Sequence, residues 1–205
     1  MCIRDRSDGP NGVRGDSSTP QTSACFPSPI LLGATWNEKL IKKIGLATGE
    51  EALYKDVDVL LAPTINLHRH PLGGRHFECY SEDPVLTSKI ACSYVSGVQS
   101  KGVAACLKHF AGNDTEFERH LVSSNIDEKT LRELYLYPFE MGIKKAKAKL
   151  VGFACIIDRS NKKNLKIKNK PLISQLKVEA DTFHRKKLPL SLKKIPVTSP
   201  GSRRV

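Results

Sequence analysis

The residues best placed to do chemistry are Lys108 and His109, which open a polar run through Asn113, Asp114, Glu116 and Glu118. They directly follow the apolar stretch Val103 to Leu107. An ammonium and an imidazole at the end of such a stretch sit where α/β proteins collect functional side chains, at the carboxyl end of a parallel strand. The pair can donate hydrogen bonds to hydroxyls or to an anion. A solvated Lys and a satisfied core His would fit the same residues, so the surroundings decide.

Two further polar clusters precede it. Ser7-Asp8-Gly-Pro-Asn-Gly-Val-Arg14-Gly15 gathers turn formers around one acid and one base. Residues 64–83 carry His68, Arg69, His70, Gly73-Gly74-Arg75, His76, Glu78 and Glu82 with no helix or strand pattern. A structureless loop of that length inside a compact domain is usually functional. The spacing of His68, His70 and His76 fits no standard metal site, and no metal or cofactor is expected.

The elements that must hold these clusters alternate. Residues 1–34 are rich in Gly, Pro and Ser and read as loop. Thr35 as N-cap with Glu38 three residues on predicts a helix to about Lys55, with Leu40, Ile41, Ile44 and Ala47 on one face. Gly45 and Gly49 weaken it. Val57 to Ala62, closed by Pro63, predicts a buried strand. Asp83 and Pro84 open a helix with an apolar stripe of Leu86, Ile90, Tyr94 and Val98. Val103 to Leu107 is the next strand. Asp127 caps a helix presenting Leu131, Leu134 and Tyr135, which Pro138 kinks or restarts before Phe139, Ile143 and Ala146. Leu150 to Ile157 has strand character. Alternation of this kind implies parallel strands joined by crossover helices. It suits a (β/α) barrel, and an open doubly wound sheet nearly as well. No Gly-rich dinucleotide fingerprint or Walker loop supports a nucleotide reading.

Composition sets outer limits. The chain has 205 residues, 40% hydrophobic, and its net charge is +12. Residues 1–148 hold 18 Lys and Arg against 18 Asp and Glu, whereas residues 149–205 hold 15 against 3. The excess is therefore local and marks a boundary. A nucleic-acid partner is not expected, because the basic run lacks interleaved aromatics beyond Phe183 and His184. No apolar run reaches the roughly 20 residues needed to span a bilayer, and Met1 to Arg6 lacks the apolar core of a signal peptide. The six cysteines lie far apart without a C-x-x-C, which argues against a zinc or disulfide framework. Compartment and oligomeric state stay open.

Together, Asp8-Gly-Pro-Asn-Gly-Val-Arg14, then Asn66-Leu-His-Arg-His-Pro-Leu-Gly-Gly-Arg75-His-Phe-Glu78-Cys-Tyr-Ser-Glu-Asp83-Pro84, then Lys108-His109-Phe-Ala-Gly-Asn113-Asp114, resemble glycoside hydrolase family 3. The closest look is that of β-glucosidases, and it runs from about Ser7 to Ala148. The resemblance implies part of a (β/α)8 barrel of the TIM type, with parallel strands and a rim that binds the non-reducing glucose of a β-glucoside or oligosaccharide. It assigns substrate binding to Asp8, Arg14, Arg75, Lys108 and His109. The chemistry agrees, because a ring of hydroxyls needs a carboxylate to accept and cations to donate. Gly73 and Gly74 would let the backbone bring Arg75 close.

The same resemblance implies what is missing. Retaining glycosidases use two carboxyl groups, a nucleophile and an acid/base. The family's nucleophile is an aspartate in a Ser-Asp-Trp motif, and the one tryptophan here is Trp36. The acid/base glutamate usually comes from a following domain. The expectation is a fragment with sugar-binding residues, neither catalytic carboxylate and no turnover alone. A noncatalytic carbohydrate-binding or regulatory protein is the other reading. Residues 1–6 read as a non-family leader and residues 149–205 as a non-family basic tail, whether native, frameshifted or disordered.

Overall fold

The computed structural model describes residues 6–15, 21–119 and 122–146, and the backbone of three strands within residues 153–177. The chain divides into two units, Met1–Ala148 and Lys149–Val205. Most of what the sequence suggests for the leader and the basic tail lies outside the described residues. Arg6 is an exception, because it belongs to a strand.

The first unit holds a parallel sheet of three strands in the order β1-β2-β3, with β1 at Arg6–Asp8, β2 at Val59–Leu61 and β3 at Ala104–Ala105. Asp8 pairs with Leu61, and Leu60 with Ala105. Thr64 continues the pattern through single parallel bridges to Cys79 and Lys108. The helices α1 (Pro29–Ala34) and α2 (Glu38–Tyr54) separate β1 from β2, and α3 (Pro84–Gln99) separates β2 from β3. After β3 come the short α4 (Glu128–Thr130), a wide π-type turn at Leu131–Tyr135, and α5 (Tyr137–Lys145).

The opening is not all loop. Residues 1–34, read from sequence as irregular, contain both β1 and α1. A strand of three residues has no period to detect, and β1 exists because β2 supplies its hydrogen-bonding partner. The cap of α2 also differs from expectation. Asn37 is the N-cap, its side chain accepting from Leu40 N at 3.0 Å. Thr35 instead donates to the Leu32 carbonyl at 2.7 Å, closing α1. The capping motif thus marks a helix–helix junction, displaced by two residues.

The Asp83 and Pro84 start of α3 is as read, with Asp83 accepting from Val85 N at 2.6 Å and Leu86 N at 3.2 Å. Pro138 restarts the helix. Leu136 N bonds back five residues to the Leu131 carbonyl, and α5 begins one residue before the proline.

The core gathers Ile41, Leu60, Ile90, Tyr94, Val98 and Val103, each essentially inaccessible. Burying a side chain of this kind contributes about 1.5–3 kcal/mol. On α2 the buried stripe is Ile41, Gly45, Thr48, Gly49 and Ala52, while Leu40 is exposed. The glycines that weaken α2 as an isolated helix are its contact with α3. A Cβ on Gly45 would strike the Tyr94 carbonyl, and one on Gly97 would strike the Lys42 carbonyl. The backbones therefore cross too closely for any side chain at these two points. On α5, Phe139 is buried and Ile143 is exposed, contrary to the face predicted for it.

In the second unit, β4 (Phe153–Asp158) pairs in parallel with β6 (Lys170–Lys177), and β5 (Lys166–Ile167) pairs antiparallel with β6. The strand expected over 150–157 corresponds to β4, its first three residues lying outside the described ones.

Candidate functional site

The three polar clusters meet at the carboxyl ends of the three parallel strands. Asp8 is the last residue of β1, Arg75 sits in the loop after β2, and Lys108 and His109 follow β3. Parallel alignment alone brings these ends to one edge of the sheet.

The Asp8 turn is built by its glycines. Gly12 has φ +145°, and a Cβ there would run into the Ala24 carbonyl. The turn closes through Arg14 N to Asp8 O at 3.0 Å and Gly15 N to Ser7 Oγ at 2.9 Å. That closure brings Arg14 Nη1 to 3.7 Å from Asp8 Oδ2. Lys108 Nζ donates to Asp8 Oδ1 from the other side. Burial pushes the Asp8 carboxyl upward, but the hydrogen bond and charge of Lys108, then the charge of Arg14, outweigh it and leave it below its ordinary value. Asp8 is thus an anion held between two cations.

His109 joins the two halves of the site. Asn66 grips its backbone, donating from Nδ2 to His109 O at 2.9 Å and accepting from His109 N at 2.8 Å. Those two bonds fix the orientation of the Asn66 amide. Asn66 Oδ1 also faces His109 Nδ1 at 3.3 Å, while Arg75 Nη2 faces His109 Nε2 at 3.2 Å. A guanidinium can only donate, so Nε2 must accept and the ring proton belongs on Nδ1, pointing at the Asn66 oxygen. Burial, then Arg75 and Lys108, hold His109 below the ordinary imidazole value, so it is neutral at pH 7.

Arg75 is aimed by Glu78. Its Nε donates to Glu78 Oε1, and Glu78 Oε2 accepts from Thr64 Oγ1 at 2.9 Å. Glu78 is 5% exposed and Thr64 1%, so this carboxylate is a buried anchor with both oxygens engaged. The Glu78 hydrogen bond keeps Arg75 charged more firmly than usual, against the effect of its partial burial. The role of the paired glycines is steric. A Cβ on Gly73 would collide with the His76 ring, and one on Gly74 would crowd Glu116.

All five residues named from sequence therefore lie along one connected row: Arg14, Asp8, Lys108, His109, Arg75. The row is open. A cleft borders Arg75 on the side of Asn66, Asn113 and Asp114 and holds about 10 Å³, room for a water molecule and not for a hexose. Sequence reasoning gave no supporting role to Asn66, Thr64 or Glu78, the residues that orient His109 and Arg75. The available signal was Glu78 three residues after Arg75, a spacing that lets the two side chains pair within one helical turn.

The surrounding groups serve as supports. His68 Nε2 faces two carbonyls, His76 O at 3.0 Å and Cys79 O at 3.1 Å, so it is the protonated nitrogen and acts as a donor to backbone. Burial pushes the Cys79 thiol up to about 12, which leaves it inert as a nucleophile. Asp114 is raised by burial despite a hydrogen bond from Tyr135, over whose ring Arg69 sits at 6.0 Å. Phe110 packs edge-on against Phe139 at 5.0 Å, seating the segment after His109 on α5. Among the described residues, no group of three or more His, Cys, Asp or Glu is arranged to hold a metal ion, and no helix is long and apolar enough to cross a membrane.

A row of cations and one carboxylate at strand ends is a surface for hydroxyl-rich or anionic ligands, and comparison with known proteins narrows the choice. Residues 10–182 match the model of the glycosyl hydrolase family 3 N-terminal domain. The chain belongs to glycosyl hydrolase family 3. It is 56% identical over 147 residues to a β-glucosidase of Rhizobium radiobacter, covering 71% of this chain and 18% of that protein. It is 52% identical over 141 residues to β-glucosidase B of Emericella nidulans, covering 68% and 17% respectively. Among solved structures, β-glucosidase 3B of Thermotoga neapolitana in complex with glucose superposes with a TM-score of 0.66 at 40% identity, covering 84% of this chain and 22% of that one. The chain thus spans about a fifth of the length of these relatives, and they are glycoside hydrolases by name. The family match also extends past Ala148 into the basic region.

Proposed function

We propose that this chain is the sugar-gripping part of a β-glucosidase that hydrolyses terminal non-reducing β-D-glucosyl residues with retention. In this reading the three parallel strands are part of a (β/α)8 barrel, and residues 7–148 are a segment of its catalytic domain. Asp8, Arg14, Arg75, Lys108 and His109 bind the glucose. The observation that carries the reading is the connected row itself, in which three sequence-distant clusters present one carboxylate and several donors on one edge of the sheet. Asp8 accepts from sugar hydroxyls, Lys108 and Arg75 donate charge-assisted bonds, and neutral His109 orients Arg75 through Nε2 while bordering the same sugar.

The chain supplies neither the nucleophile nor the acid/base. Lys108 and Arg14 hold Asp8 ionised, so it has no proton to give, and both Glu78 oxygens are bonded in a buried position. Neither fits the acid/base role, and the sequence holds no Ser-Asp-Trp motif to supply the nucleophile. Purified chain is therefore expected to release no p-nitrophenol from p-nitrophenyl β-D-glucoside. Measurable release would overturn this part of the proposal.

The binding part is tested by titrating glucose in large excess while following the His109 ring signals by NMR. They should shift in the parent chain and stay put in Lys108→Met. Unmoved signals in the parent would refute the sugar assignment. Saturable heat with glucose in a calorimeter, at concentrations far below that excess, would favour a self-sufficient noncatalytic binder over part of a larger barrel.

A further inference from the structure

A second charged pair, Glu51 and Lys55, contacts the Asp8 turn at Val13. Lys55, the residue that ends α2, has a side chain only 1% exposed, and its ammonium makes three hydrogen bonds. It donates to Val13 O at 2.6 Å, to Ser23 Oγ at 2.6 Å and to Glu51 Oε1 at 2.9 Å. Glu51, one helical turn earlier, accepts from Val13 N at 3.3 Å and from Ala24 N at 2.8 Å. Ser23 Oγ in turn donates to Val13 O at 2.7 Å. The pair thus holds Val13 N–H and Val13 C=O, which belong to two successive peptide units, together with Ser23 and Ala24.

Val13 is the residue before Arg14, and its side chain is fully buried. Beyond it, Arg14 N and Gly15 N tie back to Asp8 O and Ser7 Oγ. A buried ammonium with three acceptors is an expensive way to hold a loop in place. An apolar contact in its place would leave Val13 N–H without its acceptor and Val13 O with Ser23 alone. What the ion pair adds is orientation: Val13 N–H and C=O are each assigned a partner, and the direction of the Arg14 stem follows. Glu51 stays charged in this setting, because Lys55 and the two backbone amides outweigh the upward push of burial.

We propose that Glu51 and Lys55 form a latch whose role is to set the Asp8–Arg14 geometry, making them positioning residues for that end of the site. The claim that the latch serves sugar binding rests on the function proposed above; the claim that it shapes the turn does not.

The test reads the turn directly, by amide hydrogen exchange on the full chain. Lys55→Met alone leaves the partly buried Glu51 carboxylate without its cation and puts the whole fold at risk. The working variant is therefore the double substitution Glu51→Leu with Lys55→Met, which removes both charges and keeps the apolar volume. The Arg14 and Gly15 amides should exchange at least tenfold faster than in the parent, while those of Ile90 and Tyr94 in α3 keep their protection. Glu51→Gln, which keeps one acceptor, should give an intermediate acceleration at the same two amides.

Parent-like protection at Arg14 and Gly15 in the double variant would overturn the proposal. So would a parallel loss at Ile90 and Tyr94, which would make the pair an ordinary contributor to global stability. If the turn loosens as expected but glucose never shifts His109 in the parent, the latch stands and the sugar reading falls.

Discussion

Breaking the Arg75–Glu78 pair from either side should have unequal consequences. Arg75→Leu leaves a carboxylate in a position only 5% exposed, with the Thr64 hydroxyl as its remaining partner. Stranding one member of a buried ion pair costs about 3–5 kcal/mol. Glu78→Leu leaves the guanidinium instead, but the Arg75 side chain is 26% exposed and can turn toward water. Its cost comes mainly from the Thr64 hydroxyl, which is 1% exposed and loses its acceptor, about 1–3 kcal/mol. The double variant has no stranded charge and keeps only that hydroxyl penalty, so it should lie near Glu78→Leu, about 1–3 kcal/mol below the parent. The double variant should therefore be more stable than Arg75→Leu alone. Urea unfolding with an unchanged denaturant slope would measure the three differences. Arg75→Leu within about 1 kcal/mol of the parent, or a double variant less stable than Arg75→Leu, would refute the buried-anchor account of Glu78.

Two pH-dependent outcomes follow from neighbouring groups. His109 titrates below its unfolded value near 6.5, so its contribution to stability is whole above about pH 6.5 and declines as pH falls from there toward the folded midpoint. His109→Asn should flatten the stability profile between pH 7 and 5, and an unchanged slope would contradict the lowered titration of the buried ring. Asp114 titrates above its unfolded value of 3.8, so the folded chain holds that proton more tightly and stability is lost as pH rises through the folded midpoint. Asp114→Asn should be more stable than the parent at pH 7 and little changed at pH 4, as read by thermal unfolding; equal effects at both values would mean burial is not what raises it.

The sequence by itself determined the alternation of strands and helices, the Asp83 cap, the restart at Pro138 and which five polar side chains to watch. These are local matters. A cap, a proline or an apolar period acts within a few residues, so its signal is written where it operates. The membership of Asp8, Arg14, Arg75, Lys108 and His109 in one row was legible only because three motifs stood together in order. Their contacts came from the parallel register of β1, β2 and β3, which no local pattern encodes.

Only the tertiary structure decided that β1 exists, since three residues make a strand when a partner strand supplies the hydrogen bonds. It also turned Gly45 from a weak helix residue into the crossing point of α2 and α3. Most of all it assigned the supports. Asn66 reaches across 43 positions to His109, and Lys55 across 42 to Val13. A buried polar side chain must find partners wherever the fold brings them, and those partners are set by the packing of distant segments and not by neighbours along the chain.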